Sequence, residues 1–379
     1  MKREVPFYRA PIGKKEIDAV VATMRSGWLT IGPRVHQFED AYAKYTKTRN
    51  AVAVNSATNG MHLALLAKNI TSGEVITTPI TFTATANVCI HSGARPVLAD
   101  IEGRHVTLDP DKVVEAITKK TRAIMPVHYG GNTCNMKALL QIAQDHKLTL
   151  IEDAAHSAGA SYSDWPSRKV GSLIDSTAAF SFYATKSLTT GEGGMITTQD
   201  DRLANRLLSL RLHGISKDAW KRYSKGGSWF YEVLEPGFKT NMTDIQAAMG
   251  IEQLKRLDGL NKERARIAAY FTKRFKRYPD LLEPPADQPG KIWHLYAVRV
   301  KAKQRNEVIN TLTNMGVSTS VHFIPLHYHP FYKKYWKYKQ GAFPVAEDYY
   351  SHTLSLPLFP GMSKAEMEYV ADSVIEALQ

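Results

Sequence analysis

Short apolar segments alternate with amphipathic segments of about ten residues through the first part of the chain. The apolar segments predict buried strands at Ala51–Val54, Glu74–Thr78, Arg95–Asp100, Arg122–Val127 and Leu148–Ile151. The segments between them predict helices at Met61–Lys68, Thr85–His91, Pro110–Thr118 and Met136–His146. Such alternation is typical of an α/β fold, in which a mostly parallel sheet is covered by helices on both faces.

Ligands of such sheets bind beyond the carboxyl ends of the strands. Four polar segments follow predicted strands and are expected to converge there: Asn55–Gly60, Thr81–Phe82, His128–Gly131 and Asp153–His156.

The pattern changes in the last third of the chain. A helix is predicted at Thr243–Leu257, continuing after Gly259 into Lys262–Tyr278, and Pro279–Gly290 reads as a boundary loop. Further elements are predicted beyond that loop: strands at His294–Val300 and Gly316–Phe323, and helices at Asn306–Met315 and Ser363–Leu378. We therefore expect a large domain at 1–255 and a smaller C-terminal α/β domain at 256–379.

Composition narrows the class of protein. No run of about 18 apolar residues is present, so no membrane span is expected, and the first residues lack the apolar core of a signal peptide. The two cysteines, Cys89 and Cys134, are too few for a disulfide framework. These features favour a cytoplasmic protein.

The formal net charge is +13, and the excess is clustered at Lys217–Lys225, Lys262–Arg277 and Lys333–Lys339. This surface would attract an anion such as a nucleotide diphosphate or a nucleic acid, although a solvated basic surface explains it equally. No nucleic-acid-binding module is recognisable, so no nucleic-acid partner is expected.

Lys186 and Asp153 are the main candidates for chemistry. Lys186 follows the apolar run Ala179–Phe182 and precedes the loop Gly191–Gly194, and Asp153 ends the Leu148–Ile151 strand. A lysine and a strand-end aspartate are what a protein needs to bind pyridoxal phosphate, as Schiff-base amine and as charge partner of the ring nitrogen. The ordinary alternatives are a strand-end lysine facing water and a helix-capping acid.

Other residues extend this hypothesis. Asn55–Gly60, at the start of the Met61–Lys68 helix, could bind a phosphate with backbone N–H groups and the helix dipole, and Ser181 could add a hydroxyl. Phe82 could stack on a pyridine ring. His156 could bind Asp153 or the phenolic oxygen of the cofactor, although a core histidine is equally ordinary.

Competing chemistries have weaker signals. The sequence lacks a strand-linked G-x-G-x-x-G, a P-loop and an H-E-x-x-H motif. His322, His327 and His329 lie close together, but their aromatic surroundings favour packing, and no metal is expected.

Taken together, these segments resemble the DegT/DnrJ/EryC1/StrS family, the sugar aminotransferases of the fold-type-I pyridoxal phosphate superfamily. Seven ordered motifs carry the resemblance: Ser26–Pro33, Asn55–His62, Ile151–His156, Phe180–Lys186 with Gly191–Gly194, Arg211–Gly214, Gly237–Asp244 and Leu354–Pro360. The family implies a large domain with a mostly parallel sheet between helices, plus a smaller C-terminal α/β domain.

The resemblance also implies residue roles. Lys186 would form the internal aldimine and move the proton, and Asp153 would pair with the ring nitrogen. The remaining cofactor contacts would come from Thr58, the Asn59 backbone, Phe82, His156 and Ser181, with Asn241 reaching the phosphate of the neighbouring subunit. That last contact implies a homodimer with shared active sites. Trp28, Tyr183 and His327 would line the sugar pocket.

The implied reaction moves the amino group of L-glutamate to a keto group of a nucleotide-linked sugar, leaving 2-oxoglutarate by ping-pong kinetics. Within the family, the chain is most similar to members that make 4-amino-4-deoxy-L-arabinose on a uridine nucleotide, which suggests C4. Tyr183 replaces a histidine of those members, so their substrate does not transfer directly. A cofactor-dependent sugar dehydratase and a non-catalytic basic regulatory protein remain alternatives, although dehydratase members replace the lysine with histidine.

Overall fold

The computed structural model describes residues 4–216, 230–301 and 305–379, so the basic stretch Lys217–Lys225 lies outside the described residues. The strands are β1 Asn50–Val54, β2 Glu74–Thr77, β3 Arg95–Leu98, β4 Ile101–Glu102, β5 Thr107–Leu108, β6 Thr121–Ile124, β7 Thr149–Asp153, β8 Ser161–Tyr162, β9 Trp165–Lys169, β10 Ser176–Ser181, β11 Gly194–Thr198, β12 Leu282–Glu283, β13 Tyr296–Val300 and β14 Thr353–Leu356. The helices are α1 Lys14–Arg25, α2 Pro33–Thr46, α3 Ala57–Ala67, α4 Thr83–Ser92, α5 Pro110–Ala116, α6 Met136–Asp145, α7 Asp201–Leu210, α8 Asp244–Phe275, α9 Arg305–Asn314, α10 Pro330–Trp336, α11 Pro344–His352 and α12 Lys364–Leu378.

The central sheet has seven strands in the order β1-β11-β10-β7-β6-β2-β3. The neighbours from β10 through β3 run parallel, whereas β11 is antiparallel to both β1 and β10. The predicted mostly parallel sheet is confirmed. Its parallel strands all end at one edge, and the loops that follow them meet there.

Both faces of this sheet are covered by apolar side chains. On one face, α3 and α4 contribute Met61, Leu65 and Val88 to a core that includes Met125 and Ile151 of the sheet region. On the other, buried residues of α2, α6 and α8 pack against the sheet, among them Phe38, Tyr42, Leu139 and Leu257. Burial on both faces is why nearly every residue of β7, β10 and β11 is buried, without an alternation of buried and exposed positions.

A second lobe forms around the antiparallel sheet β12-β13-β14. Its core includes Phe271 of α8, Tyr296 and Val298 of β13, and Val374 of α12. Val5 joins this core and pairs with Val317, so the N-terminal segment also belongs to the lobe. The domain boundary at 255/256 stays a prediction, and the single helix α8 runs across it.

The predicted continuation of a helix past Gly259 is confirmed, since α8 runs unbroken from Asp244 to Phe275. Two other predicted elements differ from the structure. The α3 helix begins at Ala57 rather than Met61, because Ser56 caps it by accepting a hydrogen bond from the Asn59 N–H. Gly316–Phe323 is not a strand, because its only bridges among the described residues are the isolated ones at Val317 and Ser320.

Every helix in the described ranges is too short or too polar to cross a lipid bilayer. Cys89 and Cys134 are both free and buried.

Candidate active site

A cavity of about 720 Å³ lies at the carboxyl edge of the parallel strands, between the two lobes. The large lobe contributes residues that end or follow strands of the sheet: Ser56 after β1, Thr81 and Phe82 after β2, Val127 after β6, Asp153 of β7 and Ser181 of β10. The small lobe contributes the opposite wall: His294, Leu295, Thr319, Ser320, His322, Phe323, Leu356 and Leu358. Three of the four strand-end segments predicted to converge therefore line this cavity. The fourth, His128–Gly131, does not line it and contacts it through the Gly130 N–H, which donates to His156.

Asp153 is the buried acid of this cavity, with 5% of its surface exposed. Thr85 Oγ1 donates to its Oδ2 at 2.7 Å, and the Ala155 N–H donates to its Oδ1 at 3.1 Å. Burial raises the pKa of Asp153, while the Thr85 hydroxyl, the Ala155 N–H and the charge of Lys186 act in the opposite direction. Asp153 thus has fixed donors that favour its carboxylate form and a cationic neighbour.

Lys186 is held in a turn directly after β10, where its N–H donates to the Tyr183 carbonyl at 2.9 Å. The side chain is partly buried and lines the cavity. Loss of water around the amine lowers the pKa of Lys186 to about 8, and the charge of Asp153 counteracts part of this effect. A larger fraction of this amine than of an exposed lysine is therefore unprotonated, and nucleophilic, near neutral pH.

The N-terminus of α3 opens onto the same cavity. Ser56, Ala57 and Thr58 line it, and Ser181 lies at the end of neighbouring β10. The first turn of a helix presents N–H groups and the positive end of the dipole, which together favour an anion. The Asn59 N–H is engaged by Ser56 Oγ at 3.1 Å, and Asn59 itself does not line the cavity.

Two aromatic side chains face the cavity with unusual exposure. Phe82 is 62% exposed and lies 6.0 Å from the Phe323 ring, and Tyr183 is 46% exposed. An apolar ring exposed inside a concave site is suited to stack on a flat ligand.

His156 lines the cavity, and its Nδ1 accepts a hydrogen bond from the Gly130 N–H at 3.2 Å. The expected alternative partner, Asp153, instead binds Thr85 and Ala155.

The structure adds two histidines that the sequence interpretation missed at this site. His294 packs 4.3 Å from the His156 ring, and His322 Nδ1 lies 2.9 Å from Ser355 Oγ. Both come from the small lobe, more than a hundred residues after Lys186. The sequence offered one signal for them, because each lies within one of the two strands predicted for that lobe.

Besides Asn59, three predicted residues lie away from the described lining of the cavity: Trp28, Asn241 and His327. Trp28 Nε1 donates to the Ile31 carbonyl at 2.9 Å, which folds its loop onto itself. His327 is buried, and its Nε2 lies 3.0 Å from Glu347 Oε1. Asn241 pairs with the edge of β1 at Val54.

No group of three or more histidine, cysteine, aspartate or glutamate side chains among the described residues is arranged to hold a metal ion. Trp336, within the basic stretch Lys333–Lys339, is buried, and its Nε1 donates to the Pro96 carbonyl at 2.7 Å. Its ring is therefore part of the packing rather than a surface for a ligand.

The residues present fit pyridoxal phosphate. Lys186 would supply an amine for the aldehyde, Asp153 an acid for the ring nitrogen, Phe82 a stacking surface, and the N-terminus of α3 a place for the phosphate. These four features line one cavity, and each matches a different part of the same small molecule.

The comparisons with known proteins agree. The profile of the DegT/DnrJ/EryC1/StrS aminotransferase family matches residues 11–375. The spore coat polysaccharide biosynthesis protein SpsC of Bacillus subtilis (strain 168) is 50% identical, over 99% of this chain and 96% of that protein.

Two solved structures match nearly the whole fold. The putative sugar aminotransferase Spr1654 from Streptococcus pneumoniae, in its PMP form, is 32% identical with a TM-score of 0.92, covering 99% of each chain. DesV of S. venezuelae, in complex with a ketimine intermediate, is 33% identical with a TM-score of 0.90, also covering 99% of each chain. The predicted fold-type-I architecture is confirmed, and the chain belongs to the DegT/DnrJ/EryC1/StrS aminotransferase family.

Proposed function

We propose that this chain is a pyridoxal-phosphate-dependent sugar aminotransferase that moves the amino group of L-glutamate to a keto group, at C4, of a nucleotide-linked sugar. Family membership supports the amino transfer, and the names of Spr1654 and SpsC support a sugar substrate and polysaccharide biosynthesis. The glutamate donor, the C4 position and the nucleotide rest on the sequence resemblance.

One observation carries the proposal: Lys186 and Asp153 line the same cavity and are close enough for each charge to shift the pKa of the other. When bound, pyridoxal phosphate supplies an aldehyde for the amine and a ring that accepts electrons from a breaking C–H bond. That ring accepts electrons best when its nitrogen is protonated, which a neighbouring carboxylate favours.

Asp153 is the residue that would keep the proton on the ring nitrogen. Its carboxylate is fixed by Thr85 and Ala155, so it keeps one orientation toward the site. Lys186 would move the proton of the breaking C–H bond, because an amine with a pKa of about 8 exchanges a proton readily at neutral pH. The same amine serves both half-reactions, which predicts ping-pong kinetics.

The remaining large-lobe residues bind and orient. Thr58 and Ser181 would contact the phosphate at the N-terminus of α3, with the Asn59 backbone adjacent, and Phe82 would cover one face of the ring. Asp153 at β7 and Lys186 after β10 are fixed by neighbouring parallel strands, so the two ends of the cofactor site share one rigid sheet.

The sugar would occupy the space between Tyr183 and the small-lobe wall. That wall presents the hydroxyls of Thr319 and Ser320 beside the His322 imidazole, and such neutral polar groups suit sugar hydroxyls. A cavity of about 720 Å³ has room for a sugar beside the cofactor, because typical ligand sites measure roughly 300–1,000 Å³. The net charge of +13 would help attract a diphosphate.

The active unit is proposed to be a homodimer in the cytoplasm. Asn241 lies outside the described lining of its own chain's cavity, and apolar side chains are exposed before it on the chain, including Val233 and Leu234. Both features support a contribution of Asn241 to the site of a second copy.

The test uses purified protein, pyridoxal phosphate, L-[¹⁵N]glutamate and a set of nucleotide-linked 4-keto sugars, with mass spectrometry of the products. The proposal expects one sugar to gain a ¹⁵N-labelled amine while 2-oxoglutarate accumulates. The Lys186→Ala variant should make no product, whereas Lys137→Ala, which removes an exposed lysine, should match the wild type. Loss of water without amine gain would instead establish a dehydratase, and turnover by Lys186→Ala would refute the proposal.

A further inference from the structure

Two histidines from different lobes pack against each other, with tilted rings, in the active-site cavity. His156 follows β7 of the large lobe, and His294 precedes β13 of the small lobe. Their ring centroids are 4.3 Å apart with an interplanar angle of 40°, and each residue is 7% exposed. This contact joins a residue of the cofactor site to the opposite lobe.

The backbone of His294 is fixed by a glycine clasp, which we define as Gly130–Gly131 with the segment that it binds, Ile292–Leu295. The Ile292 N–H donates to the Gly131 carbonyl at 3.4 Å, and the His294 and Leu295 N–H groups donate to the Gly130 carbonyl at 3.2 and 3.4 Å. Gly131 has a φ of +97°, and a Cβ there would lie 1.9 Å from the Ile292 carbonyl oxygen. Only glycine permits so close an approach.

The same clasp determines which nitrogen of His156 carries the hydrogen. The Gly130 N–H donates to Nδ1 of His156 at 3.2 Å, and an imidazole nitrogen accepts a hydrogen bond only when it bears no proton. A neutral His156 in this arrangement therefore carries its hydrogen on Nε2.

The surroundings keep His156 neutral. Burial, followed by the charges of Lys186 and His322, places the pKa of His156 well below its ordinary value. The pKa of His294 is lowered well below its ordinary value by burial, and then by His156, Lys186, Arg264 and His322. The titratable and charged groups that face this pair are Lys186, His322, Arg264, Asp153 and, through its ring edge, Tyr129.

We propose that His294 is a positioning residue that acts through His156. Packed against His156 and fixed by the glycine clasp, it excludes water from that ring and holds it as a neutral Nε2–H donor at the cofactor site. The part of this inference that concerns the cofactor rests on the proposed function. The tautomer and its dependence on His294 belong to the protein without cofactor.

The first test therefore uses the cofactor-free protein labelled with ¹⁵N-histidine, in which NMR reports the tautomer of each ring. The His156 signal is assigned from its loss in His156→Gln. We expect the Nε2–H tautomer in the wild type, neutral throughout the range in which an exposed histidine titrates. In His294→Ala, water reaches the ring, so its titration midpoint should move up toward the ordinary histidine value. His294→Phe retains a stacked ring and should keep the wild-type behaviour.

Circular dichroism establishes that each variant is folded. If His294→Ala does not fold, His294→Ser also leaves room for water beside the His156 ring and carries the same expectation. His146→Ala removes an exposed histidine outside the cavity and serves as the matched control, which should leave the His156 signal unchanged. An unchanged His156 midpoint in the folded alanine or serine variant would overturn the proposal.

The second test is a double-mutant cycle on the dissociation constant of pyridoxal phosphate. If His294 acts through His156, His294→Ala should weaken binding about tenfold in the wild-type background and less than about twofold in the His156→Ala background. Equal losses in both backgrounds would contradict it. Both tests read out the cofactor-free protein or cofactor binding, so a wild type that fails to aminate any sugar would refute the proposed substrate without deciding this inference.

Discussion

Thr85 Oγ1 donates a hydrogen bond to Oδ2 of Asp153 at 2.7 Å, and this bond connects helix α4 to the end of strand β7. Thr81 Oγ1 lies 2.7 Å from Thr85 Oγ1. Because the Thr85 hydroxyl gives its hydrogen to the carboxylate, Thr81 must donate to Thr85. The orientation and ionisation of Asp153 thus depend on a relay of two buried hydroxyls.

Thr85→Val should therefore lower kcat/KM at all pH values and most strongly at low pH. Loss of the hydroxyl removes an interaction that lowers the pKa of Asp153, so the carboxylate will protonate at a higher pH than in the wild type. The acid limb of the pH–rate profile should move upward, and kcat/KM at neutral pH should fall roughly tenfold, as for a lost hydrogen bond to a charged group. Thr85→Ser keeps the hydroxyl and should retain the wild-type profile; an unshifted acid limb in Thr85→Val would count against the relay.

The rate of pyridoxal phosphate capture by the cofactor-free enzyme should rise with pH and reach half its maximum near pH 8. The amine reacts when it is unprotonated, above its pKa, and burial lowers the pKa of Lys186 to about 8. Asp153→Asn removes the charge that raises this pKa, so the midpoint should fall below that of the wild type. Glu192→Gln changes a more exposed acid at the same cavity and should leave the pH midpoint unchanged. Stopped-flow absorbance measures the rate, and a midpoint near that of an exposed lysine would be incompatible with this site.

Two serine helix caps, one at the cavity and one at the surface, allow an effect on stability to be distinguished from an effect on cofactor binding. Ser56 caps α3 at the cavity, and Ser363 caps α12 at the surface through the Glu366 N–H. Replacing either serine with alanine should lower the free energy of unfolding by about 1 kcal/mol. Only Ser56→Ala should also weaken pyridoxal phosphate binding, by several-fold. Urea unfolding and a cofactor titration provide the two measurements, and equal cofactor affinity in both variants would remove the N-terminus of α3 from the phosphate site.

The glycine clasp should tolerate no side chain at Gly131. A Cβ there would meet the Ile292 carbonyl oxygen at 1.9 Å, and the φ of +97° is itself unfavourable for a residue with a side chain. The steric clash and the backbone strain would therefore both destabilise the folded protein. Gly131→Ala should lose about 3 kcal/mol or more of unfolding free energy. Gly361 also has a positive φ, of +81°, but a Cβ there meets nothing within 4 Å, so Gly361→Ala should lose only about 1–2 kcal/mol. Similar losses in urea unfolding would show that the clasp is looser than described.

Local patterns predicted the sheet and the large-lobe half of the site. Neighbouring residues of a strand such as Glu152 and Asp153 point to opposite faces, and the structure gives them separate partners. Glu152 binds Tyr162 and His128, and Asp153 binds Thr85. These residues lie at the ends of strands, and a local sequence pattern is sufficient to predict where a strand ends.

What the sequence did not predict depends on contacts between distant segments. His294 and His322 reach the cavity only because the small lobe folds back onto the Gly130–Gly131 turn. The antiparallel strand β11 was not anticipated, since strand order in a sheet is a tertiary property. His327 carried no local sign that Glu347, twenty positions later, would hold its imidazole.

The central claim is that Lys186 is the amine that carries pyridoxal phosphate, and one measurement tests it most directly. The cofactor-loaded enzyme is reduced with borohydride, which fixes the cofactor to the amine that carries it, and the digested peptides are analysed by mass spectrometry. The account predicts one stoichiometric phosphopyridoxyl label, on Lys186. A label on another lysine, or no label on a protein saturated with the cofactor, would contradict it.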